Sequence, residues 1–67
     1  MWIQIKNRRI NLDNVTDYNL YKIRLTIDYS TIDNDGNQLG VVHEFDSEIE
    51  AKIAITKLDE LLNVISL

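Results

Sequence analysis

Residues Ile23–Phe45 read IRLTIDYSTIDNDGNQLGVVHEF, and the way this stretch doubles back on itself decides the fold. Ile23, Leu25, Ile27 and Tyr29 alternate with Arg24, Thr26, Asp28 and Ser30, the period of an antiparallel strand with one buried face. Asp33-Asn34-Asp35-Gly36-Asn37 then crowds together residues that favour turns. The same cluster invites a second reading as a calcium loop. An EF-hand loop takes oxygen ligands at positions 1, 3 and 5, glycine at 6 and a bidentate glutamate at 12. With Gly36 at position 6, Thr31 falls at 1 and Val42 at 12, so both anchoring ends fail and no metal site is assigned.

The turn reading fixes strand register. In a three-residue loop closed by a G1 bulge, Asp33 opens a type I turn and Gly36 takes the left-handed position. Asp33 then faces Asn37, and outward from it Thr31 faces Leu39, Tyr29 faces Val41, Ile27 faces His43, Leu25 faces Phe45 and Ile23 faces Ser47. The opposite side sets Arg24 against Asp46. A two-residue turn on Asp35-Gly36 would instead place Ile27 opposite Glu44 and Leu25 opposite Asp46. A one-residue slip exchanges the two faces of a strand, so the bulged register is expected.

Upstream, WIQIKNRRINL (Trp2–Leu12) alternates on both sides of Asn7-Arg8. A tight turn there pairs Ile5 with Ile10 and Ile3 with Leu12, four apolar side chains on one face. Between the hairpins, Val15, Tyr18 and Leu20 follow neither a helical nor a strand period, and Asp13–Tyr21 is read as a turn or bulge leading into the next strand. Downstream, Ser47 and Glu50 match the S-x-x-E capping box, and Glu48 with Lys52 adds an i,i+4 pair. A helix is therefore expected from about Ser47 to the end of the chain. Ala51, Ala54, Ile55, Leu58, Leu61, Leu62 and Ile65 form its broad apolar arc, assigned to the sheet.

The fold class that follows is α+β: a small antiparallel β-meander of three to four strands with one C-terminal helix packed on one face, in the order β-β-β-β-α. With 67 residues, no proline and no linker, residues 1–67 form a single domain. A core this small rarely supplies more than ~3–5 kcal/mol net. Cysteine is absent and histidine occurs once, which removes disulfides, thiolate metal sites and a cysteine nucleophile. Oligomerisation remains as a means of adding buried area.

The helix carries a second apolar stripe, Ile49, Ile53, Val64 and Leu67, apart from the main arc. It is the candidate oligomer interface, with a dimer favoured. The unpaired edges of a small sheet point the same way. His43, alone on an apolar face, reads as a core or rim side chain. No nucleophile motif, glycine-rich phosphate loop or carboxylate pair accompanies it, so no catalytic residue, cofactor or enzyme activity is assigned.

Charge is uneven. Residues 1–24 carry a net of +3 and residues 25–67 a net of −7, within an overall −4. The hairpin face bearing Trp2, Gln4, Lys6, Arg9 and Asn11 sets an aromatic ring beside basic and amide groups, as contact with single-stranded nucleic acid would need. The acidic balance opposes that reading. Three functions are therefore carried forward. The leading one is a non-catalytic, homo-oligomeric interaction module. The second is a nucleic-acid-binding regulator, and the third an acidic inhibitor or decoy presenting Asp28, Glu44, Asp46, Glu48 and Glu50.

No apolar run approaches the ~20 residues that cross a bilayer, and no basic segment precedes an apolar one at the start, so a cytoplasmic location and no membrane partner are expected. Around RRINLDNV, Ile10–Val15 resembles short uncharacterised bacterial proteins in which an I-N-L-x-N-V strand enters a turn. That resemblance implies a bacterial cytoplasmic protein and brings no activity or site residue.

Overall fold

Five strands and one helix follow in chain order in the computed structural model, which describes residues 1–67. β1 (Trp2–Ile5) and β2 (Arg8–Asn11) form a hairpin, a 3-10 turn spans Leu12–Asn14, and β3 (Val15–Tyr21), β4 (Arg24–Ile32) and β5 (Gln38–Glu44) form a second antiparallel sheet in that order. The helix α1 covers Glu48–Leu61. The class is α+β with one C-terminal helix, but two sheets of two and three strands replace the expected single meander. The added strand is β3.

β3 escaped the period because it contains a bulge. Val15 pairs with Tyr29 and Asp17 with Asp28, which leaves Thr16 as an extra residue. One inserted residue reverses the alternation. Val15, Tyr18 and Leu20 consequently share the face that meets Tyr29, Ile27 and Leu25 of β4.

At the Asp33–Asn37 loop the expected turn forms. Gly36 N–H donates to Asp33 C=O at 3.1 Å, Asp33 N–H donates to Asn37 C=O at 2.9 Å, and Gly36 has φ +83°. The Asp33 carboxylate accepts from the N–H groups of Asp35 and Asn37, both at 2.9 Å. Away from the turn the register departs from expectation. Ile32 still faces Gln38, yet Asp28 faces Gly40, so Tyr29, Ser30 and Thr31 together oppose Leu39.

Two extra residues on β4 move every farther pair by two. Ile27 meets Val41 rather than His43, Leu25 meets His43 rather than Phe45, and Arg24 meets Glu44 rather than Asp46. A two-residue slip keeps each side chain on its face, which is why the apolar faces still coincide. The shifted register sets Asp28 against Gly40, where a Cβ would lie 2.4 Å from Asp28 Oδ1. The missing side chain lets Asp28 lean across β5.

The first hairpin shifts by two as well. Its turn is Lys6-Asn7, so Ile3 faces Ile10 and Ile5 faces Arg8, in place of the Ile5–Ile10 and Ile3–Leu12 pairs. Lys6 bears the positive φ of +52°. Parity is again retained, and Leu12 is freed to enter the 3-10 turn, where it is buried. Ile5, Ile10, Leu12, Leu25, Ile27 and Leu58 make one contiguous core that joins both sheets to the helix. Full burial of Leu25 and Ile27 stabilises by roughly 1.5–3 kcal/mol each.

The helix stops at Leu61, six residues before the expected end. Asn63 adopts φ +54°, its N–H donates to Glu60 C=O at 3.4 Å, and Val64 N–H donates to Asp59 C=O at 3.0 Å. These are the bonds of a Schellman cap with asparagine where glycine is commonest. Ala51 and Leu58 of the predicted arc are buried and Ala54 and Ile55 half-buried, whereas Leu61, Leu62 and Ile65 are exposed. No helix is long and apolar enough to cross a membrane.

Candidate interaction surface

An open groove of about 590 Å³ runs between β1 and α1, walled by Ile3, Ile5, Phe45, Ile53, Leu58 and Leu61. Two local devices hold its walls. Ser47 Oγ accepts from Glu50 N–H at 3.2 Å and starts the helix, while Tyr18 Oη donates to Asp59 Oδ1 at 2.7 Å and ties its last turn to β3. Only half of the capping box forms, and the Glu50 side chain lines the groove with Lys6 and Lys57. Glu48 and Lys52 do not come within ion-pair distance; the surface pairs that form are Arg24–Glu44 and the N-terminal amine with Asp13, both at 3.4 Å.

All four residues of the candidate oligomer stripe are exposed. Ile53 faces into the groove and Ile49 lies one turn earlier against Lys52 and Thr56. Val64 and Leu67 do not share the helix with them, since they follow the Asn63 cap. The sequence treated the stripe as one helical edge; it is two helical residues and a short non-helical segment.

On the hairpin, Trp2 pairs with Asn11 and Gln4 with Arg9, which gathers four of the five predicted nucleic-acid contacts on one face. Lys6 leaves that face. Its amine donates to Glu44 C=O and stands 5.5 Å from the centre of the Phe45 ring. Asn11 is engaged as well, its Oδ1 accepting from Asp13 N–H at 3.1 Å. The five acidic side chains do not converge: Glu44 stands at one end of the β4–β5 ladder, Asp28 at its middle opposite Gly40, and Glu50 lines the groove.

His43 is buried directly opposite Leu25, and its Nε2 has no hydrogen-bond partner. Burial, and then the charges of Arg8 and Lys6, hold its pKa below the usual histidine value. It is a neutral core side chain. Asp28 is perturbed the other way, raised by desolvation and by the facing Asp17.

The sequence missed the cluster around Asp28. Thr16 Oγ1 donates to Asp17 Oδ1 at 2.9 Å, lies 3.3 Å from Asp28 C=O and accepts from the Gln38 amide. The broken alternation at Thr16 was its only signal. The groove was missed for another reason: Ile3, Ile5 and Leu61 have the periodicity of core residues, and nothing local says that the hairpin and helix stand apart.

The chain matches no family model, and no curated protein or solved structure is significantly similar to it.

Proposed function

We propose that this chain is a small, non-catalytic, cytoplasmic interaction module that self-associates as a dimer through the exposed apolar side of α1 and the segment beyond it. One observation carries the reading. Ile49, Ile53, Val64 and Leu67 are all exposed, and Ile53 lines an apolar groove, on a domain with only seven buried apolar residues. Surfaces of that kind mark contact sites, and a small core gains most from the added burial. The basic hairpin and the acidic helix supply complementary charge for orienting two copies.

Sedimentation over a concentration series tests the proposal. A dimer at micromolar concentration is expected, and Ile53→Asp should shift it to monomer with unchanged circular dichroism. A wild-type protein that stays monomeric throughout would remove the reading.

A second reading, nucleic-acid contact, is favoured by Trp2, 68% exposed beside the Gln4–Arg9 pair. Binding of a single-stranded oligonucleotide that weakens with salt and is lost in Trp2→Ala would support it.

A further inference from the structure

β1 meets the groove edge-on. Ile3, Gln4, Ile5 and Lys6 all line it, although consecutive residues of a strand point to opposite faces, so what the groove exposes is the side of the strand. β1 has a hydrogen-bonded neighbour on one side only. A two-residue turn makes Ile5 and Arg8 a hydrogen-bonded pair, and Leu12 N–H donates to Met1 C=O at 2.9 Å, so the alternation places Ile3–Ile10 in the same class. Trp2 and Gln4 then direct their backbone N–H and C=O away from β2. Such an edge is a template for another strand.

The chain also contains a segment suited to that edge. Val64-Ile65-Ser66-Leu67 lies outside the helix, forms no strand, and includes the most exposed large apolar side chains of the protein, with Ile65 at 81% and Leu67 fully exposed. Ile65 and Leu67 alternate, so in an extended conformation both face one way, as Ile3 and Ile5 do. Charge agrees with the match. The hairpin carries Lys6, Arg8 and Arg9 without an acid, and the helical turn leading to the segment carries Asp59 and Glu60.

We infer that the groove receives the Val64–Leu67 segment of a second copy of this chain, added as a strand to the free edge of β1. This rests on the self-association proposed above and supplies its geometry. Exchange about a two-fold axis fills both grooves and closes the assembly, with the partner's Asp59 and Glu60 brought toward Lys6 and Arg8.

The test is the double variant Ile65→Asp/Leu67→Asp, in which both sites lie outside the helix and the core. Circular dichroism should not change, while the dimer dissociation constant should rise by about tenfold or more. The Trp2 and Gln4 amides should exchange slowly with solvent in concentrated wild type and rapidly both on dilution and in the variant. A dimer of unchanged affinity in the variant, with both amides exchanging freely, would overturn this inference and leave self-association standing. Slow exchange that persists in dilute monomer would place the segment in its own groove and overturn it too. A protein that never dimerises would overturn both proposals.

Discussion

Tyr18 of β3 donates a 2.7 Å hydrogen bond to Asp59 of α1, and no other side-chain hydrogen bond joins the helix to the sheet. The remaining attachment is apolar: Leu58 belongs to the buried cluster with Leu25 and Ile27, and Ala54 and Ile55 pack against that cluster. Loss of the phenol in Tyr18→Phe leaves the Asp59 carboxylate without this donor and should cost about 1–2 kcal/mol in urea denaturation. Alkaline pH should act on the same bond. Desolvation, then the bond to Asp59 and its charge, push the Tyr18 pKa up to about 12, above the ordinary 10.0. A phenol with a raised folded-state value stabilises fully below the unfolded value, and the contribution fades as pH climbs toward 12. Wild type should therefore lose stability across that interval faster than Tyr18→Phe.

Gly40 and Asp28 should behave as a coupled pair. An alanine Cβ at position 40 would lie 2.4 Å from Asp28 Oδ1. Alanine normally improves on glycine within a strand by roughly 0.5–1 kcal/mol. Here the carboxylate must swing aside, so Gly40→Ala should be neutral or destabilising in wild type and stabilising in an Asp28→Ala background. A coupling energy of about 0.5–1 kcal/mol from the double-mutant cycle is expected. Additive effects would show that the Asp28 carboxylate does not crowd a side chain at position 40.

Much of the fold was legible because face parity is robust. Both hairpins were read two residues out of register over most of their length, yet Ile3, Ile5, Leu25 and Ile27 fell on the expected faces, since a shift of two preserves alternation. The Asp33–Gly36 turn was legible in full, because its chemistry is local. What stayed hidden depended on contacts distant in sequence: the Thr16 bulge answers to Asp28 and Tyr29 on another strand, and the β4 bulge sets Asp28 against Gly40. The helix end was a local feature overlooked, because asparagine signals a left-handed cap more weakly than glycine does. Of the proposed stripe, Ile49 and Ile53 do lie exposed on the helix, but Val64 and Leu67 were placed on a helix that had already ended.

His43 should make stability fall on mild acidification. Its folded-state pKa lies below the ordinary 6.5, so the unfolded chain binds the proton more readily. The contribution of neutral His43 is complete above the unfolded value and is lost as pH falls through the folded one. The raised Asp28 value works in the opposite direction, but its window opens from the carboxylate range, nearer pH 4. Replacing His43 by leucine also removes a buried Nε2 that lacks a partner, so His43→Leu should gain about 1 kcal/mol at pH 7 and more at pH 5. Equal gains at the two pH values would show that the ring does not titrate abnormally.

Asn63 offers a stabilising substitution. It holds φ +54° at the position after the cap residue Leu62, where the Asn63 and Val64 N–H groups close the Schellman bonds to Glu60 and Asp59. Glycine reaches this conformation without a Cβ penalty, although it gives the unfolded chain more freedom to lose. The net effect of Asn63→Gly should be a gain of about 0.5 kcal/mol, read as a higher thermal midpoint at unchanged helix content. A β-branched residue is strained there, so Asn63→Val should cost about 1 kcal/mol or more. The same pair of variants bears on Asp59, whose carbonyl accepts the Val64 bond and whose carboxylate accepts from Tyr18. If the cap positions that turn, Asn63→Val should also lower the Tyr18 pKa toward 10, visible in an ultraviolet titration of the phenolate.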